Sequence, residues 1–90
     1  MEEKFLAALE ANRQKAQALG ARIRPVTDMA QAKRVLSGSR TSDGFALLAQ
    51  QGKLALSLEA LAVDRRFTSL FTDEEANEAL TRLLEAGYRF

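Results

Sequence analysis

Apolar and polar residues along this chain repeat mainly with the period of an α-helix. In the first such stretch, residues 3–19, one side of a helix carries Phe5, Leu9, Ala16 and Leu19. Acidic residues begin this stretch and basic residues follow, an order that complements the helix dipole. Gly20 comes next, and glycine readily adopts the left-handed conformation that closes many helices. We therefore expect a first helix that ends close to Gly20.

The period changes after this helix. Charged and apolar residues alternate over residues 21–26, which suits a strand, but Pro25 has no amide hydrogen to donate. The segment is therefore expected to be an edge strand or an extended connection. Asp28 then provides an N-cap for a second helix over residues 29–36. Gln31 stands three positions after it, which is the spacing of a capping box.

A loop is predicted for residues 37–44, because every residue there favours turns or caps or carries a charge. Asp43 is the expected N-cap of a third helix over residues 44–51, and Gly52 would close that helix.

Residues 53–64 fit two structures. Three leucines alternate with other residues over 54–58, as in a short strand, whereas Leu58, Leu61 and Ala62 suit a helix capped by Ser57. The helix is favoured because residues 59–62 are poor strand formers. A short apolar link, expected as one 3₁₀ turn, then joins this helix to the last one.

The last helix has the strongest local signal. Thr72 and Glu75 have the capping-box spacing, and acidic residues occupy the positive end of the helix. Gly87 is expected to close it in a Schellman arrangement. For the tail, residues 88–90, a small strand beside Ile23 is one interpretation. The predicted apolar stripe of the helix consists of Ala76, Ala79, Leu80, Leu83 and Leu84.

These elements predict a single all-α domain over residues 1–90, with four to five short helices. Composition agrees, since Ala and Leu, both strong helix formers, supply 16 and 14 residues, while β-branched apolar residues are few. The first residues do not resemble a secretion signal, and no apolar run approaches the roughly 18 residues of a membrane span. We therefore expect a cytoplasmic protein that does not bind membranes.

The absence of His and Cys excludes several kinds of chemistry. Serine–histidine and cysteine–histidine catalytic sites cannot form, and zinc sites built on Cys or His are excluded as well. The acidic residues 73–78 are explained by the start of a helix, so no metal is predicted there, and no cofactor is expected. An enzyme is therefore the last-ranked hypothesis.

Charge is unevenly distributed, although the net charge is only +1. Residues 13–40 contain seven basic residues and one acidic residue, a net of +6, between two acidic ends. A basic segment of this kind can bind phosphate, so nucleic acid is the alternative partner. Its candidate contacts are Arg22, Arg24, Lys33, Arg34 and Arg40.

Aromatic and basic residues lie together in the chain just before the last helix. An apolar patch with a charged rim is typical of protein–protein contacts. The leading hypothesis is therefore a non-catalytic interaction or regulatory module that binds another protein or a second copy of itself. Its predicted contact residues are Arg65, Arg66, Phe67, Leu70 and Phe71.

Overall fold

Residues 1–89 are described by a computed structural model, in which all regular structure is helical. The helices are α1 (Glu2–Ala18), α2 (Met29–Ser37), α3 (Phe45–Gln50), α4 (Leu58–Ala62) and α5 (Asp73–Glu85), with 3₁₀ turns at Leu54–Leu56 and Thr68–Leu70. No strand occurs within residues 1–89, so the all-α prediction is confirmed. Tyr88 and Arg89 are not part of a strand, and Phe90 lies outside the described residues.

Two helix starts follow the sequence signals closely. The hydroxyl of Ser57 accepts a hydrogen bond from the Ala60 amide at 3.1 Å, so α4 begins where the favoured interpretation of residues 53–64 placed it. At the start of α5, the Glu75 amide donates to the Thr72 hydroxyl at 3.1 Å. The Thr72 amide donates to the Glu75 carboxylate at 2.8 Å, which completes the predicted capping box.

The predicted cap of α3 is wrong. Asp43 makes no cap hydrogen bond, and Gly44 occupies the N-cap position with a φ of 77°. The Asp43 carboxylate instead accepts from the Arg24 amide at 3.2 Å and from the Arg24 guanidinium at 3.0 Å. A tertiary ion pair has therefore replaced the local cap. Glycine is needed at position 44, because a Cβ there would lie 3.0 Å from the Ile23 side chain.

The core consists of two groups of buried side chains that are joined by Val63, which packs against both. In the first group, the ring of Phe5 packs edge-on against the rings of Phe67 and Phe71, with centroids 5.4 and 5.2 Å apart. The second group lies around Leu48 and Leu83, both fully buried. Edge-on aromatic pairs stabilise a core beyond the area they bury. Helix α1 is therefore fixed to the turn that precedes α5.

The predicted apolar stripe of α5 is only partly buried. Ala79 and Leu83 are fully buried, but Leu80 and Leu84 are 37% and 56% exposed. Helix α5 packs on α4 and α2, so its buried side turns toward those helices and includes Arg82. The predicted stripe therefore included two leucines that are exposed, Leu80 and Leu84, and omitted Arg82, which is buried. Within residues 1–89, none of the helices has the length and apolar character needed to cross a membrane.

Candidate interaction surfaces

A buried ion pair lies between α4 and α5. Glu59 is fully buried and Arg82 is 6% exposed, and their side chains meet at 3.1 Å between Nη1 and Oε2. The amide of Ser42 donates to the same carboxylate at 2.9 Å, and the Ser42 hydroxyl donates to its other oxygen. The pair thus holds the loop between α2 and α3 as well as the two helices.

The rest of the Arg82 guanidinium binds the end of α2 and the start of the same loop. Its Nη2 donates to the carbonyls of Val35 and Gly38 at 3.2 and 2.9 Å, and its Nε donates to Glu78 at 2.7 Å. Among residues 1–89, no buried side-chain polar atom lacks a hydrogen-bond partner. Since its groups are all engaged, this network is a structural connection and offers no free acid or base for chemistry.

The aromatic part of the predicted protein contact lies mainly inside the molecule. Phe67 and Phe71 are 3% and 8% exposed and belong to the core around Phe5, and Leu70 is half-buried. The two phenylalanines therefore anchor the segment to the body of the protein. The side chains of this segment that a partner could contact are those of residues 65–66, before Phe67, and of residues 68–70, between the two phenylalanines.

Arg65 and Arg66 are exposed at this segment. The Arg66 guanidinium pairs with Asp64 at 3.1 Å and lies 4.9 Å from the centroid of the Phe67 ring. The hydrogen bonds from Arg66 hold the pKa of the Asp64 carboxyl below its usual range. A role of Arg65, Arg66 and Leu70 in binding a partner stays a prediction.

The exposed leucines of α5 form a second candidate surface, which the sequence pattern assigned to the core. Leu80 and Leu84 are four residues apart and therefore neighbours on one side of the helix. Among residues 1–89, the other large hydrophobic residue with comparable exposure is Met1. Exposed acidic residues Asp73 and Glu74 begin the helix, and the exposed Arg89 follows its end. The leucines therefore have an acidic helix start on one side and, on the other, the exposed Glu85 together with Arg89.

The basic segment forms a trough on another part of the molecule. One open groove of about 580 Å³ is lined by Arg13, Arg22 and Arg24, and an adjoining groove of about 380 Å³ is lined by Arg24 and Arg34. The two grooves share Arg24 and Pro25, so we treat them as one feature, called here the arginine trough. It runs over α1, the connection before α2, and α2 itself. Three of the five predicted phosphate contacts meet there.

The remaining two predicted contacts lie elsewhere. Lys33 pairs with Glu75 at 3.5 Å and lies 5.8 Å from the centroid of the Phe71 ring, so it faces α5. Arg40 is exposed in the loop after α2 and lines neither groove. Arg13 is the trough residue that was not singled out from the sequence. The sequence signal that could have identified Arg13 was its position at the start of the basic segment, residues 13–40.

Two arginines of the trough have acidic neighbours. Arg13 pairs with Glu10 at 2.8 Å, and its hydrogen bonds lower the pKa of Glu10 to about 2. Arg24 likewise holds the pKa of Asp43 below its usual range. Neither carboxylate lines the grooves. For Arg22 and Arg34, no ion pair is found within residues 1–89.

In three comparisons, no family model, no curated protein and no solved structure matched this chain. Within the described part of the chain, there is also no group of three acidic side chains that could hold a metal ion. Function therefore has to be inferred from the surfaces themselves.

Proposed function

We propose that this chain is a non-catalytic interaction module that binds protein through the leucine side of α5, with a second copy of the chain as partner. The observation that carries the proposal is the exposure of Leu80 and Leu84 on one helix side. Clustered apolar side chains at the surface of a small protein mark protein contacts more often than single ones do. The lack of His and Cys supports a role without catalysis.

The charges at the two ends of α5 favour a second copy as the partner. In a two-fold arrangement, the same surface faces itself, and with the two-fold axis perpendicular to α5 the two helices run antiparallel. Leu80 of one copy then meets Leu84 of the other, and Arg89 comes close to the acidic start around Asp73 and Glu74. Antiparallel helix dipoles also attract one another. The spacing of the two leucines thus lets the surface pair with itself, with Arg89 as the cation that offsets Glu85 and the acidic start of the facing helix.

The expected dimer is weak. The exposed parts of Leu80 and Leu84 together equal about one leucine side chain per copy. Burying a whole leucine contributes roughly 1.5–3 kcal/mol, so the pair of copies gains about 3–6 kcal/mol from these side chains. Association itself costs at least about 4 kcal/mol. After that cost the leucines alone leave at most about 2 kcal/mol, whereas a dissociation constant of about 1 mM needs about 4 kcal/mol. A dimer that is detectable near ~1 mM therefore also requires about 2 kcal/mol from the contacts at the helix ends.

Sedimentation velocity over about 10 µM to 1 mM tests the proposal. The wild-type chain should shift from the 9.9 kDa monomer toward twice that mass as concentration rises, and Leu80→Ser/Leu84→Ser should stay monomeric at every concentration. A matched control, Ala7→Ser/Ala11→Ser, changes two exposed residues with the same spacing on α1 and should dimerise like wild type. A wild-type chain that is monomeric throughout, or a leucine variant that dimerises equally, would overturn the proposal.

A further inference from the structure

We infer that the arginine trough is a binding site for the phosphodiester backbone of a nucleic-acid duplex. This site is separate from the leucine side of α5, because no residue of α5 lines the trough. The trough brings Arg13, Arg22, Arg24 and Arg34 together from three parts of the chain.

The residues that line the trough favour an anion. Arg22 and Arg34 are exposed and have no ion pair within residues 1–89. Arg24 pairs with Asp43, but its side chain is still 89% exposed. No acidic residue lines either groove, whereas Gln17 and Gln31 do, as neutral hydrogen-bond donors. A ligand in the trough therefore meets four guanidinium groups and amide donors, and the carboxylates that pair with Arg13 and Arg24 lie beside the grooves rather than in their lining.

The chemistry of these side chains favours phosphate. A guanidinium is planar and donates two parallel hydrogen bonds to a phosphate, and every basic residue of the trough is an arginine. The trough contains no aromatic side chain. Proteins that bind single strands usually stack bases on aromatic residues, so contacts to a duplex backbone are favoured over a single strand. The grooves are also open, as an extended polyanion requires.

Duplex binding should be weak, independent of sequence and strongly dependent on salt. Each neutralised phosphate contributes about 0.9 to the log–log salt slope. With Arg22, Arg24 and Arg34 engaged, the slope should be close to about −3. Non-specific binding of this kind has dissociation constants of roughly 10⁻⁴–10⁻⁶ M at physiological salt and is tighter at lower salt.

Fluorescence anisotropy with a labelled 20-base-pair DNA at ~50 mM salt provides the test. Arg22→Gln/Arg34→Gln should weaken binding at least tenfold and flatten the salt slope by about 2. The matched control Lys4→Gln/Lys53→Gln removes the same charge from exposed positions outside the trough and should change affinity less than threefold. Exposed substitutions of this kind seldom alter stability, and circular dichroism checks that both variants are folded.

A gain of affinity gives an independent check. Asp43→Asn keeps an oxygen that can accept from the Arg24 amide but removes the negative charge that holds the Arg24 guanidinium. This variant should bind the duplex several-fold more tightly. Three results would overturn the inference: no duplex binding at ~50 mM salt, an equal loss in the control variant, or tighter binding of polyglutamate than of the duplex. None of them depends on the oligomeric state of the chain.

Discussion

Removing Arg82 should destabilise this protein more than any exposed substitution, because it would leave the Glu59 carboxylate buried without its ionic partner. Glu59 is fully buried, and Arg82 is its only cationic partner within residues 1–89. Breaking a buried ion pair by removing one partner costs about 3–5 kcal/mol. A chain of this length has a total stability of roughly 5–13 kcal/mol. Arg82→Met should thus lose a quarter or more of it.

Urea unfolding followed by circular dichroism measures this loss as a change in the free energy of unfolding. Glu78→Ala is the matched control, because it removes the other ion pair of Arg82. The Glu78 side chain is 44% exposed. Glu78 is the partner that faces solvent, and without it Arg82 keeps Glu59 and both backbone carbonyls, so this variant should lose less than about 1 kcal/mol. A cost below about 1 kcal/mol for Arg82→Met would refute the reasoning.

The double variant Glu59→Gln/Arg82→Met separates two causes of the loss. A glutamine at position 59 carries no charge but keeps an oxygen that can accept from the Ser42 amide. If the buried charge causes the loss, the double variant should be more stable than Arg82→Met by about 2 kcal/mol or more. If the two variants unfold alike, the loss comes instead from the carbonyls of α2 and the loop that Arg82 no longer binds. The double variant should fold even where Arg82→Met does not.

Three further predictions concern local structure. Gly44→Ala should cost more than Gly52→Ala, because both residues have positive φ but only at position 44 would the added methyl group meet packed side chains; urea unfolding compares the two. Thr72→Ala should lower stability by about 1 kcal/mol through loss of the α5 cap, measured in the same way, and an unchanged midpoint would contradict it. The Arg13 pair lowers the pKa of Glu10 from 4.5 to about 2, so its contribution is complete above about pH 4.5 and is lost as pH falls toward 2. Melting temperatures of wild type and Glu10→Gln should therefore differ most at neutral pH and converge in acid.

Most helix positions could be predicted from the sequence because their signals are local. The capping box of Thr72 and the cap by Ser57 depend on residues three positions apart, and both formed as expected. The cap predicted at Asp43 failed for the opposite reason. Its carboxylate pairs with Arg24, which is 19 residues away in the chain. A pattern of neighbouring residues cannot predict a pairing between residues so far apart.

The side of α5 that faces the core could not be predicted correctly for a similar reason. Hydrophobicity alone places Leu80 and Leu84 in the core and Arg82 outside. In the folded chain, Arg82 is buried because Glu59 and two backbone carbonyls, at positions 23–47 residues away in sequence, provide its partners. A buried charge is tolerated only with such partners. The single glutamate in the apolar stretch 58–62 was the available hint that a partner existed.

The arginine trough depends on the direction in which each basic side chain leaves its helix, and a count of charges along the sequence does not contain that direction. Lys33 and Arg34 are adjacent in sequence and contribute equally to the +6 segment, yet successive residues of an α-helix point about 100° apart. Lys33 therefore reaches Glu75 on α5, while Arg34 lines the trough beside Arg24. Counting charges along the sequence assigns Lys33 and Arg34 to the same ligand. In the folded chain, Lys33 forms an ion pair within the protein, whereas Arg34 lies on the open surface. Changing Lys33 should consequently leave duplex affinity almost unaltered, since its charge is already engaged on the side of α2 that faces α5.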